Sequence, residues 1–340
     1  MKRFLVFALV LLTAFTVFAG GEKEAAASDG TIKIALIVEN TIDDKGWCQA
    51  MHDGILSAQQ KMPGKIDYKY YEKTQVVDSS SIMRQAIAEG CNLIIAHGAQ
   101  YKNTITETAE EYPDVSFAFG TSDAIVADNV FTYMPESEET GYLSGLIAGM
   151  LTKVDHVGFV GPIDGGDAAR YDRGFVLGVQ KVNPDCKIDA THVGSFSDVV
   201  KSGEIATTLI KNGCDVLTGS SQQALGALRA TSEDAKALWL GQDLAQLSTP
   251  EGKAKCVAAS SYAYDAVVIG MVEKINSGVK GGEVIPLNFN NDGFIFGWNE
   301  DLKAKVVTPE IEKVVDEALA SFKAEAGKLA NYKDVDYSKL

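Results

Sequence analysis

The sequence is short of positive charge and of long hydrophobic runs. Its 31 lysines and arginines are outnumbered by 46 aspartates and glutamates, which gives 340 residues a formal net charge of −15. Most of such a surface would repel a phosphate backbone or an anionic lipid layer. The composition therefore argues against a nucleic-acid partner.

Cysteine and histidine are scarce and scattered. Five cysteines form no CxxC motif, and their odd number excludes complete pairing, which argues against a disulfide framework. Cys91 and Cys214 each begin an apolar run, where a small buried thiol is expected. The four histidines are well separated, so a metal cluster would need a tertiary coincidence. We predict no metal site and no cofactor.

Enzyme motifs are also lacking. The sequence has no GxSxG elbow, no HExxH helix, no GxxxxGK[ST] phosphate loop, and no GxGxxG that opens a helix after a strand. Residues 161–167 combine glycines with carboxylates but lack the spacing and the final glutamate of an EF-hand loop. We interpret that segment as a strand-to-helix loop and predict a protein without catalytic activity.

The one long apolar run stands at the N-terminus. It follows a lysine and an arginine and leads to a Val-Phe-Ala cleavage motif, so residues 1–19 are predicted to be a secretory signal peptide. Because the run is shorter than the ~20 residues that span a bilayer, a retained anchor is the secondary interpretation. Residues 20–30 read as a flexible leader. No cysteine precedes Cys48 to carry a lipid, and we expect an exported protein, periplasmic or associated with the cell surface.

Short apolar runs alternate with longer amphipathic segments along most of the chain. This pattern predicts parallel strands joined by helical crossovers, with helices on both faces of each sheet. The pattern restarts with a helix at 138–151, which indicates two α/β lobes. The predicted strands are 32–38, 66–71, 93–97 and 115–119 in the first lobe, and 156–160, 187–193, 216–219 and 237–240 in the second.

A further strand at 257–261, a helix at 264–277 and a charged helix at 309–328 are too many elements for the second lobe alone. We therefore predict two doubly wound parallel-sheet lobes joined by three hinge strands, with one deep cleft. The boundaries are lobe one at 31–130 plus about 258–285, lobe two at 131–257 plus about 286–330, and a polar tail at 331–340.

Ligands of open α/β sheets bind beyond the carboxyl ends of the strands. Those ends carry carboxylates, amides, hydroxyls and aromatic rings, which suit a neutral, flat, polyhydroxylated molecule. The residues at these ends include Glu39, Asn40, Asp44, Trp47, Gln100 and Asp123 in the first lobe, and Asp167, Phe196, Ser220 and Asp243 in the second.

The segment DDKGWCQ at 43–49 resembles the DDKSFNQ element of the basic membrane protein (BMP) family. This family comprises substrate-binding proteins of ABC transporters and includes the purine-nucleoside receptors. Further matching segments follow in the same order, so the resemblance covers most of residues 31–275. They are 129–151, VGFVGP and RGFVLGVQKVNP within 157–184, VGSF at 193–196, GCDV at 213–216 and LGQD at 240–243.

The resemblance implies a type I periplasmic-binding fold whose lobes close on a ligand and then dock on a membrane permease. By position, Trp47 corresponds to an aromatic that stacks on the base, and Phe196 lies near a second one. Asp123 corresponds to a carboxylate that contacts the base, and Asp243 to one that grips ribose hydroxyls. We expect a monomeric receptor that delivers its ligand to a permease and ATPase complex.

Two positions depart from the family pattern. Cys48 stands in place of an asparagine and Tyr262 in place of a lysine, which removes strong hydrogen-bond donors from the base-recognition end. Together with Asn40, Asp44 and Ser220, these two complete the candidate ligand-binding residues. The alternative for each is structural, since Asp44 or Asp243 could cap a helix and Trp47 or Phe196 could be core aromatics.

The leading hypothesis is an exported receptor of an ABC importer for a purine nucleoside or a related heterocycle. The alternatives are a receptor that signals to a chemoreceptor or sensor kinase, a receptor for a sugar or flavin, and a secreted hydrolase. A cytoplasmic repressor of the same fold is disfavoured, because no helix-turn-helix segment precedes residue 31.

Overall fold

A computed structural model describes residues 30–44, 46–324 and 328–340. The predicted signal peptide at 1–19 and all but the last residue of the predicted leader at 20–30 lie outside the described residues. Within the described ranges, no helix combines the length and the apolar composition that crossing a bilayer requires.

Twelve strands are assigned in the described chain. They are β1 Ile32–Ile37, β2 Ile66–Tyr71, β3 Leu93–Ala96, β4 Ser116–Gly120, β5 Val130–Pro135, β6 His156–Gly161, β7 Lys187–His192, β8 Val216–Gly219, β9 Leu238–Gly241, β10 Cys256–Tyr262, β11 Val284–Leu287 and β12 Phe294–Trp298.

The helices fill the crossovers between strands. They are α1 Trp47–Lys61, α2 Val76–Ala88, α3 Lys102–Glu111, α4 Glu138–Leu151, α5 Gly166–Val182, α6 Val199–Lys211, α7 Ala224–Glu233, α8 Pro250–Lys255, α9 Tyr264–Asn276, α10 Glu300–Val306 and α11 Pro309–Lys323.

The strands form two six-stranded sheets. The first has the order β11-β5-β4-β3-β1-β2, and all of its pairs are parallel. The second has the order β12-β10-β9-β8-β6-β7 and is parallel except where β12 runs against β10. Central strands such as β3, which is buried throughout, need the continuous apolar runs found in the sequence. The predicted fold of two α/β lobes with mostly parallel sheets is confirmed.

The crossings between lobes lie a few residues later than the predicted boundaries near 130, 258 and 285. Strand β5 belongs entirely to the first sheet, because its register continues β4 with Phe117 opposite Val130. Strand β10 belongs entirely to the second sheet, where it pairs with β9 and β12. Strands β5, β11 and β12 were not predicted. The edge strands β11 and β12 are short and half exposed, whereas β5 is mostly buried.

The C-terminal segment predicted as a polar tail packs on the second lobe. Residues 330–334 and 337–339 form short 3₁₀ turns. The ring of Tyr337 lies 5.6 Å from the ring of Phe159, and the Arg173 guanidinium lies 5.1 Å from the centre of the Tyr337 ring. The Arg170 guanidinium likewise lies 5.1 Å from the centre of the Tyr332 ring, so aromatic residues hold this largely polar segment against the fold.

Candidate functional site

A cavity of about 370 Å³ lies where the carboxyl ends of the two sheets face one another. The first lobe contributes Glu39, Trp47 and Gln100 to its wall, and the second contributes Asp167, Phe196 and Gln222. Its position between the lobes and at the strand ends is where open α/β sheets bind small molecules.

The indole of Trp47 is held from behind by a buried histidine. Its ring is stacked on that of His97, with 4.2 Å between centroids and 12° between planes. Trp47 Nε1 donates to the His97 carbonyl oxygen at 3.3 Å, and His97 Nε2 donates to the Trp47 carbonyl oxygen at 3.1 Å. The second imidazole nitrogen, Nδ1, accepts from the Tyr133 hydroxyl at 2.6 Å.

Burial lowers the pKa of His97 to about 3, despite the hydrogen bond to the Trp47 carbonyl. The imidazole is therefore neutral, which agrees with one nitrogen donating and the other accepting. Trp47 is thereby fixed at the first turn of α1, beside the cavity, by a support that does not titrate near neutral pH.

Asp44 joins the two lobes. Its Oδ1 accepts from the backbone nitrogens of Gly46 and Gln49, at 3.0 Å each, and so caps the start of α1. Its Oδ2 accepts from Gln222 Nε2 of the second lobe at 3.3 Å. Asp44 therefore caps a helix, as its structural alternative predicted, and also lies between the lobes.

Cys48 lies behind this contact. Its side chain is fully buried, and its Sγ lies 4.0 Å from Gln222 Nε2. Burial raises the pKa of the thiol, and the negative charge of Asp44 raises it further. Cys48 is therefore not part of the cavity wall, and it contacts Gln222, which is.

Tyr262 orients a carboxylate of the cavity wall. Its hydroxyl donates to Asp167 Oδ2 at 2.7 Å and accepts from Gln242 Nε2 at 2.9 Å. Its ring meets the indole of Trp47 edge-on, with 5.2 Å between centroids. Where the resemblance implies a lysine, this chain has a phenol that fixes Asp167 at the start of α5.

Asp243 lies in an inner compartment next to Trp47 and Tyr262. Only 7% of it is exposed, and its Oδ1 accepts from the Ala245 nitrogen at 2.7 Å, which caps the 3₁₀ turn Leu244–Ser248. Burial raises the pKa of this carboxyl to about 7, and the nearby charge of Asp44 raises it further. The compartment measures about 10 Å³, roughly the space of one water.

The remaining predicted residues lie at or just beside the cavity. Phe196 is 40% exposed and forms part of the rim. Asp123, Asn40 and Ser220 do not border the cavity, whereas Thr121, Glu39 and Ser221 next to them do. Thr121 and Ser221 have φ values of 58° and 66°, and such left-handed turns re-aim the chain at the strand end.

Gln222 was missed among the candidate residues. It follows the β8 strand end in sequence, but only the tertiary contact with Asp44 distinguishes it from other polar loop residues. Glu39 and Gln100 were predicted at strand ends, and Glu39 Oε2 accepts from Gln100 Nε2 at 3.0 Å. No signal in the sequence separates Glu39, which borders the cavity, from its neighbour Asn40, which does not.

The described wall of the cavity carries carboxylates but no lysine or arginine. Glu39 and Asp167 face it directly, while Asp44 and Asp243 lie behind Gln222 and Trp47. Burial raises the pKa of both Glu39 and Asp167. Such a wall accepts hydrogen bonds from hydroxyl and amino groups and opposes a phosphate or carboxylate.

Comparison with known proteins gives a family match along most of the chain. A family model described as ABC transporter substrate-binding protein PnrA-like matches residues 31–323. The ABC transporter nucleoside-binding protein BmpA of Lactococcus lactis subsp. cremoris is 25% identical, over 93% of this chain and 95% of its own. A protein of Haloferax volcanii, provisionally named ABC transporter glucose-binding protein TsgA13, is 28% identical over 64% of this chain and 54% of its own.

Solved structures show the same fold. An ABC transporter solute-binding protein from Aeropyrum pernix superposes with a TM-score of 0.76 at 17% identity, covering 89% of this chain and 96% of that one.

Proposed function

The chain belongs to the PnrA-like family of ABC transporter substrate-binding proteins, and we propose that its cleft closes over a purine nucleoside or a related heterocycle. Membership confirms the resemblance seen in the sequence, and it implies a small-molecule ligand and a transporter complex as partners. Our proposal adds four points to family membership: the identity of the ligand, the closing movement, export and the monomeric state.

The rigidly held indole of Trp47 carries the proposal. A flat ring with its rear face on His97 can offer its remaining surface to a ligand ring without losing side-chain freedom on binding. Phe196 supplies a second aromatic surface from the opposite lobe. A planar heterocycle suits this pair better than an aliphatic ligand does.

The acidic wall supports a ligand with hydroxyl or amino groups. Glu39 and Asp167 can each accept hydrogen bonds from a sugar ring or an exocyclic amine. A nucleoside offers both kinds of donor, whereas a nucleotide would bring its phosphate against these carboxylates. The proposed ligand is therefore unphosphorylated.

Closure follows from the placement of residues on both lobes. A ligand that touches Trp47 in the first lobe and Phe196 in the second favours the closed arrangement by its differential affinity for the two states. The contact between Asp44 and Gln222 shows that the lobes already meet beside the cavity. A permease that contacts both lobes could distinguish the closed form from the open one.

Native mass spectrometry of the freshly purified protein tests the proposal. A tightly held ligand should travel with the folded chain and be released by denaturation, where its mass identifies it. A released nucleoside or base supports the proposal, while a released sugar or flavin would replace it. For a protein that carries nothing, a thermal-shift panel of nucleosides, sugars and flavins decides by which class raises the melting temperature.

A further inference from the structure

Three side chains with metal-binding chemistry meet at the edge of the second sheet that lies opposite the cleft. His156 begins β6, Asp189 lies in β7, and Cys214 lies two residues before the start of β8. These are the amino-terminal parts of parallel strands, whereas the cavity lies beyond the carboxyl ends. The cluster is therefore separate from the ligand site.

One carboxylate oxygen is shared by the other two groups. Asp189 Oδ2 lies 3.0 Å from His156 Nε2 and 3.8 Å from Cys214 Sγ. All three atoms lie within 4.8 Å of one another. A nitrogen, an oxygen and a sulfur thus surround one small volume.

We propose that His156, Asp189 and Cys214 bind a single zinc ion. Imidazole, carboxylate and thiolate are the side-chain groups that zinc takes in proteins. Tetrahedral bonds of ordinary length would place the nitrogen and oxygen ~3.4 Å apart and the sulfur ~3.6 Å from each. The two separations to Asp189 Oδ2 are already close to these values, and a solvent molecule would complete the coordination.

The strand register prepares the site. Asp189 stands opposite Gly158 in the pairing of β6 with β7, and His156 lies two residues before Gly158 on the same face of the strand. A Cβ at position 158 would lie only 3.2 Å from Cys214 Sγ and 3.1 Å from Leu209 Cδ1. The glycine therefore keeps open the space into which the three groups project.

Lys187 holds the carboxylate in place. Its Nζ lies 3.1 Å from Asp189 Oδ1, the oxygen that the histidine and cysteine do not share. A partner on the outer oxygen fixes the orientation of a metal-binding carboxylate. The ammonium also offsets one of the two negative charges that a carboxylate and a thiolate bring to the site.

Access to the cluster is partial. The side chains of His156 and Asp189 are 11% and 20% exposed, so an ion can reach them from solvent, while Cys214 is buried. When zinc binds, the thiol proton of Cys214 leaves to solvent as the sulfur–zinc bond forms. The proton that the His156 imidazole holds on Nε2 in the ion-free site moves by way of solvent to Nδ1, so that the Nε2 lone pair binds the metal. Without the ion, the thiol and the imidazole donate to Asp189, so the site exists before the metal arrives.

Metal titration of the tag-free, chelator-treated protein tests this proposal. Calorimetry should show one zinc ion bound per chain, and zinc should raise the melting temperature. Cobalt(II) at the same site should give a near-ultraviolet thiolate-to-cobalt charge-transfer band. C214S should lose that band and bind zinc at least tenfold more weakly, and H156Q should weaken binding similarly.

C256S is the matched control. Cys256 is an equally buried thiol of the same sheet, and its Sγ lies 3.3 Å from the Ala258 carbonyl oxygen. This variant should keep both the zinc affinity and the cobalt band. Absence of zinc binding in the wild-type protein would overturn the proposal.

Binding without the charge-transfer band would also overturn it, because surface carboxylates of this acidic chain would then explain the signal. The wild-type band decides the matter even if C214S does not fold. Neither readout depends on the ligand of the cleft.

Discussion

The indole of Trp47 lies on the imidazole of His97 at 4.2 Å, and each residue donates a hydrogen bond to the other's carbonyl oxygen. This reciprocal pair ties the start of α1 to the end of β3. The aromatic wall of the cavity is thus part of the backbone framework of the first lobe. Its geometry should persist when the lobes move.

Replacing Trp47 by alanine should weaken ligand binding by ~1–3 kcal/mol, the range found for rings stacked on nucleobases. Trp47→Phe should recover part of the loss, because a smaller ring still offers a face. Calorimetric titration with the ligand identified in the cleft gives both values. Trp298→Ala, at the edge strand β12, serves as the control and should bind as the wild type does. An unchanged dissociation constant for Trp47→Ala would remove this residue from the site.

Gln222→Ala removes the hydrogen bond between the lobes at Asp44. We expect ligand affinity to fall by ~0.5–1.5 kcal/mol, because one hydrogen bond that favours the closed arrangement is lost. Small-angle scattering with ligand present should show a larger radius of gyration than for the wild type at subsaturating ligand. Gln85→Ala, on the exposed face of α2, should change neither quantity. Equal affinity and equal dimensions for Gln222→Ala would refute a role in closure.

Asp243 should make stability depend on pH. Burial raises its pKa to about 7 from an ordinary value of 3.8. Between these values the unfolded chain ionises while the folded chain keeps its proton, so stability falls as pH rises from about 4 to about 7. Above pH 7 the loss stays constant, at up to about 4 kcal/mol.

Asp243→Asn keeps the oxygen that caps Leu244–Ser248 and removes the charge. Urea unfolding at several pH values should show a smaller decline between pH 4 and 7 than in the wild type. Asp123→Asn, at an exposed position, should leave the wild-type profile unchanged. Parallel profiles for wild type and Asp243→Asn would show that Asp243 titrates normally.

Gly145 sets the close approach of α4 to α5. A Cβ there would collide with the carbonyl oxygen of Phe175 and lie 2.8 Å from the backbone nitrogen of Val179. Gly145→Ala should therefore cost ~1–3 kcal/mol or more in the free energy of unfolding. Gly270→Ala in α9 meets nothing within 4 Å and should stabilise by ~0.5–1 kcal/mol. Chemical denaturation gives the free energy of unfolding of both variants. A Gly145→Ala protein as stable as the wild type would mean that α4 and α5 can move apart without cost.

The sequence predicted most of the fold because buried parallel strands leave short, continuous apolar runs, although the buried strand β5 was missed. Strands β1, β3 and β6 were predicted within a residue or two at each end. Strands β11 and β12 escaped notice because edge strands are short and half exposed, and their pairing depends on distant partners. The chain leaves the second lobe only after β10, a few residues later than predicted. Here too the reason is pairing with strands distant in sequence, because β10 pairs with β9 and β12.

The site was predicted in outline but not in detail. Trp47 and Phe196 border the cavity because they follow strand ends, which is a property that the sequence reveals. Asp123 and Ser220 miss it by one or two residues, because the left-handed turns at Thr121 and Ser221 change the direction of the chain. The meeting of Gln222 with Asp44 depends on how the lobes close, and no local pattern encodes that.

Calorimetric titration of the ligand-free protein with purine nucleosides tests the central claim most directly. Adenosine, guanosine and inosine are compared with their monophosphates, with glucose and with riboflavin. We predict that at least one nucleoside binds with one site per chain and that its monophosphate binds far more weakly, because Glu39 and Asp167 oppose the phosphate. Binding of glucose or riboflavin with no heat from any nucleoside would contradict the proposed ligand class.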